Sequence, residues 1–282
     1  MADRKDRYQR IVDLIFKAME TPESWQKTWQ SMSTRPRNHV SGHKYTGMNA
    51  ITCMVDMAIN EYKDGHYVTF NQAEQLGLSV KGQKATPIIF MGKAKDKKSD
   101  DPEKTYKFAK IYNCWNINKL GLYLPEPEIK PNKLEAPHVI ADALCVAVEN
   151  NASYDPCYIP SIDTIKMPME GQFEREHHYQ STFYHECVHA TGAKKRLDRK
   201  IENPFGSELY AIEELVAEIG SVLLCADLGI KYEIQNHASY LNSWKKAIKE
   251  DSNILVKSAR KAQNAVDYIH SQMDLMKQQN AA

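Results

Sequence analysis

The spacing of apolar residues predicts helices in both halves of the chain and a pair of strands in each half. Where apolar residues recur every three or four positions, as at Ile11, Leu14, Ile15 and Ala18, the pattern indicates an amphipathic helix. In the first half, this pattern covers residues 3–20, 49–62 and 69–76. Residues 84–91 and 106–115 favour β-strands, which flank a charged loop at 93–105 and together form a long hairpin.

The second half predicts a mainly helical module behind a linker. Pro125, Pro127, Pro131 and Pro137 lie among charged residues, and proline resists regular structure because it lacks an N–H donor. Helices are predicted at 139–149, 174–191, 208–228, 239–249 and 253–276, and short strands at 154–159 and 163–167. We therefore expect an α+β protein with two domains, 1–125 and 138–282, joined by a linker at 126–137.

The two halves differ in charge, although the net charge of the chain is only +1. Residues 1–120 contain 20 Lys and Arg against 13 Asp and Glu, whereas residues 121–282 contain 17 against 23. A basic module with a net charge of +7 suits a polyanion such as nucleic acid. The lysines of the charged loop supply much of this excess, so solvation of that loop is an alternative explanation.

The composition indicates a cytoplasmic protein without membrane segments. No stretch of the chain approaches the roughly 18 apolar residues that a spanning helix needs. The first residues are charged and no apolar segment follows them, which is unlike a secretory signal. The six cysteines are scattered singly, so a thiolate zinc cluster is not expected.

The sequence His185-Glu-Cys-Val-His189 predicts a zinc site within a helix. Histidines four residues apart share one helix face, so both imidazoles can reach one ion. Glu186 lies beside that face, where it can act as the catalytic base and then as the acid. Two surface histidines on an ordinary helix would show the same spacing.

A catalytic zinc needs a third protein ligand, and the segment 211–220 offers three carboxylates. This segment, Ala-Ile-Glu-Glu-Leu-Val-Ala-Glu-Ile-Gly, resembles the second helix of the gluzincin peptidases. The resemblance implies that Glu214 is the ligand and that Glu218 orients a histidine from behind. Glu213 remains open as an alternative ligand. The segment 163–167 is a candidate strand edge for binding a peptide beside the helix.

The first module mixes aromatic, cationic and amide side chains, as single-strand binding requires. Burial of the aromatic residues in a small core is the alternative explanation. The candidate DNA-contacting residues are Trp29, Arg35, Arg37, Asn38, Tyr45, Asn49, Lys81, Lys84 and Trp115.

Several motifs together resemble the ArdC-type antirestriction proteins of conjugative plasmids. They are Trp25-x-x-x-Trp29, Arg35-Pro-Arg-Asn38, and the segments 42–50, 69–73, 81–86, 112–116, 163–168, 185–192 and 213–218. The resemblance implies a single-stranded-DNA-binding first domain, a zincin-like metallopeptidase second domain with one Zn²⁺ or another divalent ion, and protection of incoming plasmid DNA from host restriction.

Three activities remain open on the sequence. The metal can be structural in a DNA-binding protein, or it can serve a peptidase that cleaves a restriction or regulatory protein near DNA. A zinc nuclease acting on the bound strand is the third. The protein substrate and the oligomeric state are left open.

Overall fold

A computed structural model describes residues 9–21, 34–95, 105–125, 137–204, 206–232 and 238–280, apart from the side chains at 95, 107 and 238–240. The chain divides into two compact units. One contains the described residues up to Ile15 and from Pro36 to Leu124, and the other those from Phe16 to Arg35 and from Pro125 onwards. Helices and strands occur in both units, which confirms the α+β class with two domains.

The unit boundaries differ from the predicted domains in one segment. Residues from Phe16 to Arg35 group with the second unit, whereas the sequence placed them in the first domain. The reason is visible at Arg35, whose guanidinium donates to Asp227 at 2.8 Å and to Gln263 at 2.9 Å. The linker at 126–137 stays a prediction, since residues 126–136 lie outside the described ranges.

The first unit is a mixed sheet with helices beside it. Its elements are β1 (Arg37–Asn38), α2 (Gly47–Asn60), β2 (His66–Val68), α3 (Phe70–Gln75), β3 (Thr86–Lys95) and β4 (Thr105–Asn116), preceded by α1 (Gln9–Ala18). The strand order is β1-β2-β4-β3. Strands β1 and β2 are parallel, and the other neighbours are antiparallel. The predicted hairpin is present and longer than expected, whereas β1 and β2 are too short to give a recognisable alternation.

Helix α2 packs on β3 through apolar and polar contacts. Ile51 and Met54 are fully buried on this helix. Asn49 accepts from the backbone N–H of Ile89 and donates to its carbonyl, both at 2.7 Å. Thr69 caps α3, since its hydroxyl accepts from Gln72 N–H at 3.4 Å. These local bonds hold the sheet and its helices together.

The second unit places helices against a small sheet. Its elements are α4 (Pro137–Ala143), β5 (Ala147–Asn150), β6 (Cys157–Ile159), β7 (Thr164–Met167), α5 (Glu176–Thr191), α6 (Glu208–Leu228), α7 (Ala238–Glu250) and α8 (Asn253–Asn280). The strand order is β5-β7-β6, with β5 parallel and β6 antiparallel to β7.

Two predictions in this unit were wrong. The helix expected at 139–149 ends at Ala143, because Cys145 has a left-handed φ of 50° and β5 then pairs with β7. Arg196 donates to the carbonyl oxygen of Leu144 at 2.8 Å and so caps this helix end. The candidate peptide-binding edge at 163–167 is the central strand, paired on both sides, and β6 is the edge strand beside α5.

Helix α6 is the centre of the second unit. It packs against α5 on one side and α8 on another, so its side chains are buried nearly all round. At Gly220 a Cβ atom would lie 2.8 Å from Cγ1 of Val188, so glycine allows α6 to approach α5 closely. No helix in the described ranges is both long and apolar enough to cross a bilayer.

Candidate functional site

Helix α5 supplies the two histidines and the glutamate of the predicted motif. Their spacing puts the Nε2 atoms of His185 and His189 3.1 Å apart, one helical turn from each other. The helix ends at Gly192, where a Cβ atom would lie 2.6 Å from Ile201 Cγ2. Glycine therefore permits the tight exit of the chain just after the second histidine.

Helix α6 brings Glu214 to both histidines. Its Oε2 lies 3.4 Å from Nε2 of His185, and its Oε1 lies 3.4 Å from Nε2 of His189. Donors around a tetrahedral zinc with bonds near 2.05 Å lie roughly 3.3 Å apart. The two imidazole nitrogens and the two carboxylate oxygens of Glu214 therefore lie close to the spacing that one small divalent ion requires, and these three residues could hold it. Glu214 therefore has the position predicted for the third ligand, and its role as a ligand stays a prediction.

The electrostatics of this donor set favour a cation. Burial opposes a charged His189, but hydrogen bonds and charge attraction from Glu213 and Glu214 outweigh it and raise the pKa of His189 to about 10. Burial also opposes the charge of Glu214, yet hydrogen bonds from the two histidines hold its pKa well below its usual range. Since a proton and a metal ion compete for the same nitrogen, metal affinity falls as pH falls.

Glu186 is buried beside the three donors. Burial raises the pKa of its carboxyl, and the charge of Glu214 adds to this effect. The two histidines and a hydrogen bond from the backbone N–H of Tyr158 on β6 act in the opposite direction. A carboxyl with a raised pKa, held against an edge strand beside the donor atoms, is placed to accept and release a proton.

Glu213 lies behind His189 and is held by Arg199. Its Oε1 is 3.4 Å from Nδ1 of His189, the nitrogen that faces away from Glu214. The Arg199 guanidinium donates to Glu213 at 2.7 Å and also to Thr191 Oγ1 and the Val188 carbonyl. Glu213, which the sequence left open as a ligand, therefore has the position of a group that orients a ligand.

Glu218 is fully buried one turn beyond Glu214. Its Oε2 accepts a hydrogen bond from the hydroxyl of Tyr232 at 3.0 Å, and that hydroxyl also lies 3.1 Å from Ser221 Oγ. Its predicted role in orienting a histidine stays a prediction.

Two contributors to this site gave no recognisable sequence pattern. Arg199 lies in a run of basic residues that resembles a solvated surface segment, and only its contact with Glu213 reveals its place. Tyr158 acts through its backbone N–H, which no side-chain motif can indicate. The strand predicted at 154–159 was the one sequence feature that placed the Tyr158 backbone in an extended segment.

Four candidate DNA-contacting residues are buried. Arg35 is 3% exposed and ion-paired with Asp227. Asn38 exchanges side-chain hydrogen bonds with Gln72, and Trp115 donates its Nε1–H to the Gln83 carbonyl. Tyr45 packs edge-on against the ring of Tyr67. These placements give each side chain a structural role and lend no support to contact with DNA.

The remaining candidates differ in exposure. Lys81 and Lys84 are exposed and free to approach phosphates, and Arg37 is half-buried on β1. Asn49 is half-buried, with its amide bonded to Ile89. Trp29 lies outside the described residues. Contact of these residues with DNA stays a prediction.

Two family models match the chain, one in each half. Residues 5–115 match the N-terminal domain of anti-restriction factor ArdC. Residues 136–262 match a zincin-like metallopeptidase family. The two models match separate parts of the chain, and the first of them includes residues 16–35, which group with the second structural unit.

Curated relatives include two Escherichia coli proteins called DNA primase TraC, each 30% identical over 95% and 94% of this chain. The chain spans only 20% and 27% of their lengths. The protein y4eC of Sinorhizobium fredii (strain NBRC 101917 / NGR234) is also 30% identical, and the match covers 95% of this chain and 92% of that protein.

Solved structures of the antirestriction protein ArdC from plasmid R388 share the fold. The metal-free crystal structure is 30% identical with a TM-score of 0.78, and the Mn(II)-bound structure is 31% identical with a TM-score of 0.76. Each match covers 95% of this chain and 98% of the ArdC chain. With an ArdC N-terminal domain, a zincin-like second domain and the fold of ArdC over nearly its whole length, this chain belongs to the ArdC family of antirestriction proteins.

Proposed function

We propose that this protein binds single-stranded DNA in the cytoplasm and protects incoming plasmid DNA from host restriction. Membership of the ArdC family supports the antirestriction role, and the basic first unit supports the affinity for DNA. Exposed cations such as Lys81 and Lys84 would contact phosphates without regard to sequence. Two relatives are named DNA primase TraC, and a primase acts on nucleic acid, which agrees with this proposal.

We also propose that His185, His189 and Glu214 hold one divalent ion, with zinc as the natural choice for two imidazoles and a carboxylate. The single observation that carries this proposal is the set of three donor distances, 3.1, 3.4 and 3.4 Å. The Mn(II)-bound structure of ArdC supports the binding of a divalent ion by this fold and makes manganese the second candidate.

Peptide hydrolysis near DNA is the alternative function, and Glu186 is the observation that favours it. A bound divalent ion supplies Lewis-acid chemistry that polarises a carbonyl and makes water more acidic. Glu186 takes the proton of the attacking water and delivers it to the leaving amine nitrogen. The raised pKa of Glu186 suits this exchange, and a metal with a structural role alone would not need this residue. The substrate would be a restriction or regulatory protein.

The test is transfer of unmodified plasmid DNA into a restricting host, with wild type compared with Glu186→Gln. The substitution keeps the metal ligands and the volume of the side chain but removes the proton acceptor. Glu208→Gln, on the exposed start of α6, is the matched control. If wild type gives no more protection than an empty vector, the antirestriction proposal is wrong.

The Glu186→Gln variant distinguishes protection by DNA binding from protection by proteolysis. Protection that survives in Glu186→Gln assigns the effect to DNA binding and leaves the metal a structural role. Protection that is lost, while the purified variant still binds DNA and metal, assigns it to proteolysis, where removing a general base costs roughly 10²- to 10⁴-fold in rate.

A further inference from the structure

The hairpin of β3 and β4 carries a row of four aromatic rings on one face. The pairs Ile88 with Tyr112, Phe90 with Lys110, Gly92 with Phe108 and Ala94 with Tyr106 all point to this face, since residues paired across strands share a side. Ring centroids are 5.7 Å apart for Phe90 and Tyr112, 6.1 Å for Phe90 and Phe108, and 6.5 Å for Tyr106 and Phe108. We call Tyr112, Phe90, Phe108 and Tyr106 the aromatic row.

The aromatic row is open to solvent. Phe90 is 51% exposed, Tyr106 53% and Tyr112 46%. Cross-strand contacts between rings stabilise a hairpin. They do not explain why half of each large apolar surface remains in water, where burial would release about 25 cal/mol per Å². Continuous exposed apolar surfaces of this kind mark binding sites.

Glycine at position 92 leaves room for the ring of Phe108 on this face of the hairpin. A Cβ atom there would be 2.7 Å from Cζ of Phe108 and 2.9 Å from its Cε1, so the Phe108 ring lies directly over the Gly92 backbone. With any larger residue at this position the Phe108 ring would have to shift. Gly92 therefore positions Phe108 within the row.

The charge around the row is positive. Lys110 is exposed directly opposite Phe90, and its Nζ lies 5.8 Å from the centroid of Phe108. Of the lysines in the two strands, Lys110 is the one at a position that shares the face of the row, and neither strand contains Asp or Glu. Aromatic rings beside a cation suit a ligand with flat faces and a polyanionic backbone. Unpaired bases meet this requirement, whereas a duplex hides its base faces within the stack.

We propose that the aromatic row, with Lys110, is the surface on which unpaired bases of single-stranded DNA stack. The proposal rests on the proposed single-strand binding and assigns it to residues. Phe90 and Tyr112 offer their exposed ring surfaces to bases, and Lys110 pairs with a phosphate beside them. Stacking on these rings does not depend on the base sequence, because every base has a π-face.

The test uses the full chain and a labelled single-stranded oligonucleotide of about 16 nucleotides, with affinity measured by fluorescence anisotropy over a range of salt. Phe90→Leu and Tyr112→Leu remove a ring while keeping apolar bulk. Each should weaken binding roughly tenfold and leave the salt slope unchanged. Lys110→Gln should reduce the salt slope by about one. Tyr123→Leu, a 67% exposed tyrosine of the same unit outside the row, should bind as wild type does.

An abasic oligonucleotide of the same length tests stacking on the wild-type protein, whatever the variants do to folding. It keeps every phosphate, so the proposal expects it to bind roughly tenfold or more weakly. Equal affinity for abasic and normal strands overturns the proposal, and so does wild-type affinity in the folded Phe90→Leu and Tyr112→Leu variants. In those cases single-strand binding itself stands. Failure of the wild type to bind any single strand overturns both proposals.

Discussion

The carboxylate of Glu213 contacts Nδ1 of His189 at 3.4 Å, and this contact leaves the Nε2 atom of the same imidazole for a metal ion. A ring nitrogen held from behind fixes the tautomer and the orientation of the ring. Arg199 anchors the carboxylate in turn, since it donates to both oxygens of Glu213. A change at Glu213 should therefore alter the affinity of the site for a metal ion.

Replacing Glu213 by Gln should weaken metal binding about 10- to 100-fold, because the amide no longer attracts the proton on Nδ1 of His189. Affinity is measured by competition against a chromogenic chelator. Glu208→Gln, on the same helix but exposed, serves as the control. Equal affinity in Glu213→Gln and wild type would show that this carboxylate does not tune the site.

Removing the metal should destabilise the wild-type protein but not Glu214→Gln. Metal at a hundredfold excess over its Kd stabilises a folded site by about 2.7 kcal/mol. For a domain of this size this corresponds to a rise in Tm of about 5–10 °C. Scanning calorimetry with and without a chelator measures the difference. A chelator-dependent Tm in Glu214→Gln as large as in wild type would exclude this residue as a ligand.

Gly220→Ala should destabilise the second unit although alanine is the better helix former. The new Cβ atom would lie 2.8 Å and 2.9 Å from the two methyl carbons of Val188, two residues or fewer from Glu186 and His189 on α5. Overpacking of this kind costs about 1–3 kcal/mol, against about 1 kcal/mol gained in helix propensity.

The double variant Gly220→Ala with Val188→Ala provides the matched test of that clash. It should recover part of the lost stability in urea unfolding, since the methyl groups that collide are gone. A Gly220→Ala protein as stable as wild type would mean that α5 and α6 separate at little cost.

Asp163→Asn should lower stability by about 1–3 kcal/mol at neutral pH. Asp163 contacts Lys195 at 2.6 Å, Arg196 at 2.7 Å and the Tyr158 hydroxyl at 2.7 Å. Burial would raise its pKa, but these hydrogen bonds outweigh burial and lower the pKa to about 2. Asparagine tolerates the left-handed φ of 48° at this position, so the backbone is preserved.

The pH dependence of this effect follows from the sign of the shift. A carboxyl whose folded pKa is depressed contributes stability in full above its unfolded pKa of about 3.9, and this contribution is lost as pH falls through about 2. The difference between wild type and Asp163→Asn in urea unfolding should therefore be constant from pH 7 to pH 5 and shrink below pH 4. A difference that grew on acidification would contradict the assigned ion pairs.

Local chemistry made the metal motif predictable. His185, Glu186 and His189 lie within five residues of one helix, so their mutual geometry follows from helical periodicity alone. The same reasoning predicted α6 with its bounds, Glu208–Leu228, because its apolar pattern is continuous between Ser207 as a cap and Gly229. It failed at β5, whose pairing with β7 depends on a partner more than ten residues away.

The choice between Glu213 and Glu214 shows where local reasoning stops. Adjacent helical residues point about 100° apart, so either could face the histidines until the packing of α6 against α5 is known. The close approach at Gly220 sets that packing and turns Glu214 toward Nε2 and Glu213 toward Nδ1.

The first unit also separates what the residue types indicate from what the packing decides. Amino-acid type alone made Tyr45 and Trp115 as plausible for stacking on bases as Phe90 and Tyr112. The first pair packs inside the unit, whereas the second lies on the open face of the hairpin. The chain sequence therefore determined which chemistry is present, through residue types and short-range spacing. Which side chains meet an ion or face solvent was decided by contacts between segments distant in sequence, because burial is a property of the packed fold.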